Sequence, residues 1–440
     1  MQRITTQHES GAHMLRMAEE LFPIHRTLVN RGYDESLALL QRHIPLEVQA
    51  YPSGTRVWDW VVPQAWDVRE AWVETLNGQR VIDYAENILH LAAYSQPFSG
   101  ELDREDLLRH LHSIPGMPEA IPYEFLYYRK DWRFCVPHKL LPSLDQGRYR
   151  VHIDVDIRPG ALKAASCVIP GESEQEIVFA TYLCHPNLAN DNLSGVVACV
   201  ELFQRLLEAG VRPHHTLRLL IVPETIGAIA WLANNEATQQ RIIGGFNVYD
   251  CGDSRPVTYK QSYFGNARVD RAAEFCLRRS GRKHELLPWS PHGSDERQFN
   301  APGVRLPFGA VMRGGAASYP EYHTSLDSLD VLSAQALADT VDTLLEMLFL
   351  LDGDLTLAST CRGEPCLSRH NIQYPVYKHQ DQHKTSPVKA LVHELDGAHS
   401  LLDICNKWDF DFSEMYELAQ AFVSAGVARP VARGVRESRT

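Results

Sequence analysis

One stretch constrains this chain more than any other: Tyr182 to Gly195, which reads Y-L-C-H-P-N-L-A-N-D-N-L-S-G. Before it runs Glu176 to Leu183, an apolar and β-branched segment with the composition of a buried strand. After it, Leu193 to Leu207 carries apolar residues at helical spacing, entered through Asn192 and Ser194. His185 and Asp191 therefore fall on the loop at the carboxyl end of a strand, where ligand sites gather in open α/β sheets. An imidazole and a carboxylate offered together suit zinc, which takes both ligand types at about 2.0–2.2 Å. A plain strand–helix connection with an Asp cap and an incidental His satisfies these residues equally.

The same pattern recurs downstream, which favours the metal. From about 160 to 355 strand-like and helix-like segments alternate. Thr216 to Pro223 ends at Glu224-Thr225-Ile226-Gly227, with a helix from Ala228 to Asn235. Gly244 to Asp250 is followed by Cys251-Gly252-Asp253, and Asp270 to Arg279 is helical. Leu306 to Met312 leads to Glu321-Tyr322-His323-Thr324-Ser325, and a helix from Ser333 to Leu351 closes the unit. Such alternation predicts an α/β fold with a mainly parallel sheet covered by helices. Carboxylates or histidines at several successive strand ends predict a metal-assisted site on one sheet edge.

Two further regions flank this unit. Residues 55–159 read as an inserted β-rich domain, with strands at Glu70 to Leu76 and Gln79 to Tyr84 around the hairpin signal Asn77-Gly78. Further strand-like runs are Trp132 to His138 and Arg148 to Asp156. Residues 1–54, with helices over His13–Leu21 and Glu35–His43, join 160–355 as the catalytic domain. Residues 356–440 read as irregular, then as a helix pair, Leu401–Trp408 and Ser413–Ala425, at winged-helix-like spacing. Its approaches carry Glu394, Asp396, Asp403, Asp409, Asp411, Glu414 and Glu417 against Lys407. That balance repels DNA phosphate and favours protein contact, with a homo-oligomer as the candidate assembly.

Composition narrows the classes. A chain of 440 residues with 44% hydrophobic content buries enough core for two or three domains. The net charge of -12 argues against a nucleic-acid partner. No run reaches the roughly 18 apolar residues of a membrane span, and the first ten residues hold no signal-type apolar segment. Nine scattered cysteines, an odd number, read as reduced thiols, so a cytoplasmic location is expected.

The constellation over 185–323 resembles the co-catalytic zinc aminopeptidases of peptidase family twenty-eight. The matching residues are His185, Asp191 within Asp191-Asn192-Leu193-Ser194-Gly195, Glu224 before Gly227, and His323 within His323-Thr324-Ser325-Leu326-Asp327. The whole chain is more closely similar to a bacterial group of aminopeptidase-like proteins that add an inserted β-rich domain and a C-terminal winged helix. Phe22-Pro23-Ile24, Pro52-Ser53-Gly54-Thr55 with Trp60, Ser294-Asp295-Glu296-Arg297-Gln298 and Tyr319 to Asp327 carry that likeness. Members are often linked with polysaccharide or other secondary-metabolite gene clusters.

The resemblance implies a metal-dependent amide hydrolase, acting on a small peptide or an amide-containing metabolite. It implies zinc, one ion or two, on His185, Asp191 and His323, with Asp253 or Asp250 as the further acid. Glu224 becomes the general base, Asp295, Glu296 and Glu321 the groups for a substrate amine, and Tyr322 an oxyanion donor. Two positions depart from the pattern: Thr225 stands where the family has a second Glu, and Asn187 where it has an Asp. Those departures leave a rival reading, a non-catalytic binding or regulatory protein that has lost a full metal site. Other signals are weaker. His393-Glu394 with His399 misses the spacing of H-E-x-x-H, while Cys361 with Cys366 and His379 with His383 read as polar loop. Cys184 reads as packing rather than a nucleophile.

Overall fold

Ser173–Tyr182, the strand before the H-P loop, lies inside an eight-stranded sheet of this computed structural model, which describes residues 10–372 and 385–431. In chain order the strands are Glu47–Pro52 (β1), Ala161–Ile169 (β2), Ser173–Tyr182 (β3), His215–Val222 (β4), Ile242–Val248 (β5), Val257–Lys260 (β6), His284–Leu287 (β7) and Phe308–Arg313 (β8). Their order across the sheet is β1-β2-β4-β3-β5-β8-β6-β7. The four inner strands β4, β3, β5 and β8 are parallel, and one row of residues crosses them as Leu219, Phe179, Phe246 and Gly309. The flanks add antiparallel pairs at β1/β2, β2/β4 and β6/β8.

β3 shows why the inner strands read as continuous apolar runs. Ile177 and Phe179 face one hydrophobic core, Val178 and Ala180 the other. A strand buried on both faces has no polar side to alternate with. The first core is closed by the helices Ser10–Leu21, Gly195–Glu208, Arg268–Arg279 and Ala334–Gly353. The second face is covered differently from the expectation. The helix Ile226–Asn234 lies there beside the short helix Glu296–Phe299, and the inserted region supplies much of the remaining core, through Trp66, Phe134, Tyr149 and Ile153.

That region holds its own antiparallel sheet, in the order Arg80–Asp83, Ala65–Thr75, Arg148–Arg158, Phe98–Asp103. The hairpin at Asn77-Gly78 forms between the first two of these. The strand expected over Trp132–His138 shrinks to Phe134–Cys135, because Pro137 and the loop after it leave the ladder. Both ends of the insert meet at one point: Ser53 N–H donates to Gly160 O at 2.9 Å, and Gly160 N–H to Ser53 Oγ at 2.9 Å.

Beyond Gly353 a small sheet, ordered Asp396–Ser400, Thr356–Ser359, Ala428–Pro430, carries the helices Pro387–Glu394, Leu401–Trp408 and Phe412–Ser424. The strand at Thr356–Ser359 corrects the irregular reading of that stretch. His379 and His383 lie outside the described residues. Among the described residues no helix is long and apolar enough to cross a membrane.

Candidate metal centre and its surroundings

Because β4, β3, β5 and β8 are parallel neighbours, the loops at their carboxyl ends share one edge. Those loops bring His185, Asp191 and His323 together, with one ligand atom from each lying within 4.8 Å of the others. Asp191 Oδ2 is 2.9 Å from His323 Nε2 and 3.9 Å from His185 Nε2. Glu224 Oε2 stands 3.8 Å from His185 Nε2. His185 and Asp191 are buried, while the side chains of His323 and Glu224 keep 29% and 25% exposure, which leaves the centre an opening.

The D-N-L-S-G turn is built to hold Asp191. Asp327 accepts the N–H groups of Asn190 and Asp191 at 2.8 and 3.0 Å, and Tyr319 donates to the same carboxylate at 2.8 Å. Tyr182 donates to Asp191 Oδ1 at 2.6 Å, so Oδ2 alone faces the two imidazoles. Gly195 is required by closeness: a Cβ there would stand 2.3 Å from the Val248 carbonyl oxygen. Cys184 orients His185, lying between its Nδ1 at 3.4 Å and the Glu224 N–H at 3.2 Å. Burial and the charge of Glu224 push the Cys184 thiol well up, as suits a packed rather than a nucleophilic sulfur.

Electrostatics separate the acids. Burial lifts Asp191, but His185, His323 and Tyr182 outweigh it and bring the carboxyl down to about 2. Burial, reinforced by the charge of Asp191, pushes Glu224 up to about 7. Burial and then Asp191 also raise Asp250 well above the usual range. Two carboxyls with pKa values driven apart beside two imidazoles form the pattern expected of acid–base machinery.

Several expected residues are placed elsewhere. Asp253 does not join the cluster: its carboxylate is taken up by Arg255 Nε at 2.9 Å, Arg255 Nη2 at 2.6 Å and Asn190 Nδ2 at 3.0 Å. Asp250 is the acid turned inward, with Oδ1 buried and lacking a hydrogen-bond partner. Glu296 is not free for a substrate amine. It is fully buried, ion-paired to Lys260 and hydrogen-bonded by Asn247 at 2.8 Å. Asp295 is also buried and accepts the Thr225 N–H at 2.7 Å. Tyr322 stacks on the His323 ring at 4.0 Å, and Glu321 sits beside it with partial exposure.

Two contributors escaped the sequence reading. Ser294 Oγ donates to Glu224 Oε1 at 2.7 Å. Tyr123, from the inserted region, packs its ring 5.0 Å from that of His185 and 5.2 Å from that of His323. Only the S-D-E-R-Q motif pointed towards Ser294; nothing local marked Tyr123.

The family model described as a domain of unknown function, DUF4910, matches residues 15–354. The chain belongs to this family. A Clostridium acetobutylicum relative, named for polysaccharide biosynthesis and an aminopeptidase-like domain, is 35% identical over 420 residues, covering 95% of this chain and 96% of its own. A crystal structure from the same organism, solved as a candidate peptidase, is similar with a TM-score of 0.86 and 33% identity, covering 96% and 97% of the two chains. A Bacillus subtilis zinc aminopeptidase shares the fold, with a TM-score of 0.62, 12% identity, and coverage of 79% of this chain and 96% of that one. This DUF4910 member therefore has the aminopeptidase-like fold, as its motifs implied.

Proposed function

We propose that the protein is a metal-dependent hydrolase of amide bonds, aminopeptidase-like in chemistry, with zinc on His185, Asp191 and His323. One observation carries the reading. Asp191 Oδ2 and His323 Nε2 are both buried, stand 2.9 Å apart, and have no hydrogen-bond partner outside this pair. Buried polar atoms left unpaired are costly, and two imidazoles with a carboxylate are a donor set that zinc takes readily. A bound ion would polarise the scissile carbonyl and ease the deprotonation of water.

The chain's own residues supply the rest. Ser294 engages Glu224 Oε1, which leaves Oε2, on the His185 side, to accept a proton from the attacking water. Glu224 then returns that proton to the leaving amine, as a carboxyl placed to act first as base and then as acid. Asp327 keeps Asp191 in place through two N–H bonds. With Glu296 ion-paired and Asp295 fully buried, Glu321 is the accessible acid for a substrate amine, and Tyr322 beside His323 the candidate oxyanion donor. Thr225, a poor zinc ligand, favours one ion over two.

The substrate class is a small peptide or an amide-bearing metabolite. The name of the Clostridium relative adds amides within glycan precursors to that class. The nine cysteines are scattered along the chain and seven of them are buried, a usage that favours a reducing, cytoplasmic setting.

Elemental analysis of the purified protein, paired with hydrolysis of a panel of aminoacyl p-nitroanilides, tests the reading. Wild type should carry zinc and turn over at least one amide. His185→Ala should lose the metal, and Glu224→Gln should keep it while turnover falls by roughly 10²–10⁴-fold. Equal metal in wild type and His185→Ala, or full activity in Glu224→Gln, would overturn it.

A further inference from the structure

Glu224 is followed by an unusual piece of backbone. Thr225 has φ +62° and ψ −78°, and the Ile226 N–H donates to Glu224 O at 2.8 Å. These values describe a γ-turn of the rare, positive-φ kind, which a residue with a side chain adopts only when its surroundings hold it there. The helix Ile226–Asn234 begins immediately after the turn and secures its far side, through Ile229 N–H to Thr225 O at 3.0 Å. Gly227 lets the chain fold closely enough, since a Cβ there would stand 2.5 Å from Pro223 Cδ.

From outside this segment Cys184 Sγ accepts the Glu224 N–H at 3.2 Å, and residues 294–296 hold the turn and the side chain. Asp295 Oδ1 accepts the Thr225 N–H at 2.7 Å, and Ser294 Oγ donates to Glu224 Oε1 at 2.7 Å. Glu296 anchors the pair, because its carboxylate is fixed by Lys260, by Asn247 and by the Ser294 N–H at 3.2 Å. Consecutive residues therefore grip Glu224 by its side chain and by the backbone just beyond it. Asp295 Oδ2 takes no part and has no hydrogen-bond partner.

We propose that Asp295 is a positioning residue: by accepting the Thr225 N–H it latches the strained turn that aims the Glu224 carboxylate at His185 and Asp191. The catalytic side of this inference rests on Glu224 moving the proton in the proposed hydrolase. One acceptor oxygen suffices for the latch, so asparagine can replace Asp295, whereas alanine cannot. Glycine at 225 reaches positive φ without steric cost and makes the latch less necessary.

The test compares Asp295→Ala, Asp295→Asn and the double variant Asp295→Ala/Thr225→Gly by crystal structure, metal content, and kcat and KM on the p-nitroanilide that wild type cleaves best. In Asp295→Ala, Thr225 should leave positive φ and kcat should fall roughly 10²-fold, with KM and metal content near those of wild type. Asp295→Asn should keep the turn and most of kcat, and the double variant should recover about tenfold of the loss. A merely structural residue would lower folded yield without rescue at 225. An unchanged turn and unchanged kcat in Asp295→Ala, or an Asp295→Asn protein that folds but has lost the turn, overturns the proposal. If wild type and Glu224→Gln cleave equally or not at all, the hydrolase reading fails instead. The crystal structures then still decide the latch. Should Asp295→Ala not fold, Asp295→Asn decides alone.

Discussion

Tyr123 donates its main-chain N–H to the His323 carbonyl at 2.8 Å, and the Ile121 carbonyl accepts the Ser325 N–H at the same distance. His323 itself sits at φ +53°, a region most side chains avoid. The inserted region thus clasps the loop that presents one of the three clustered residues, and its Tyr123 ring closes the space behind both imidazoles. Tyr123→Ala should leave the main-chain bond intact but loosen both rings. Metal affinity should fall roughly tenfold, the low end for residues that orient ligands. Competition with a chelator measures it; an affinity equal to wild type would detach the inserted region from the centre.

The two candidate acids after β5 are separable. Asp253 is saturated by Arg255 and Asn190, while Asp250 is buried with one oxygen unpartnered and feels the charge of Asp191. Asp253→Asn is expected to retain the wild-type metal content. Asp250→Asn should lower metal affinity by about tenfold or more. Elemental analysis after dialysis distinguishes them, and the opposite ranking would return Asp253 to the centre.

Stability should depend on pH through His25, far in sequence from the strand-end loops. Burial holds this imidazole down to about 4, against the pull of Asp67, and its Nδ1 lies 2.7 Å from the Tyr84 hydroxyl. Folded His25 stays neutral where the unfolded chain, titrating near 6.5, already binds a proton. The contribution is therefore complete above about pH 6.5 and is lost as pH falls towards about 4. Partial exposure discounts it to on the order of 2 kcal/mol. Denaturant unfolding at about pH 7.5 and pH 5 should show a larger loss for wild type than for His25→Gln. Equal losses would exclude His25 as the source.

The inner sheet and the three clustered residues were readable because local signals and tertiary structure agree there. β3 is apolar on both faces, and His185, Asp191, Glu224 and His323 stand just beyond strands of that kind. β1 and β6 were harder, one mostly exposed and the other four residues long, so their membership depends on distant partners. Glu296 looked like a free acid because Lys260, which neutralises it, lies far back on β6. Asp250 and Asp253 could not be ranked, because Asp250 takes φ +47° and turns the loop in a way no pattern announces. Tyr123 lies in irregular chain, and only its pairing with the His323 loop gives it meaning.

The meeting of Ser53 and Gly160 has an evolutionary consequence. Everything between them leaves the large sheet and returns to it at one doorway, where β1 and β2 are already paired from Pro52 and Ala161 outward. Residues gained or lost inside that excursion do not shift the ladder by a single rung. What covers the second face can therefore change in length without moving the strands that end at His185 and Asp191, provided the clasp of Ile121 and Tyr123 on the His323 loop is kept.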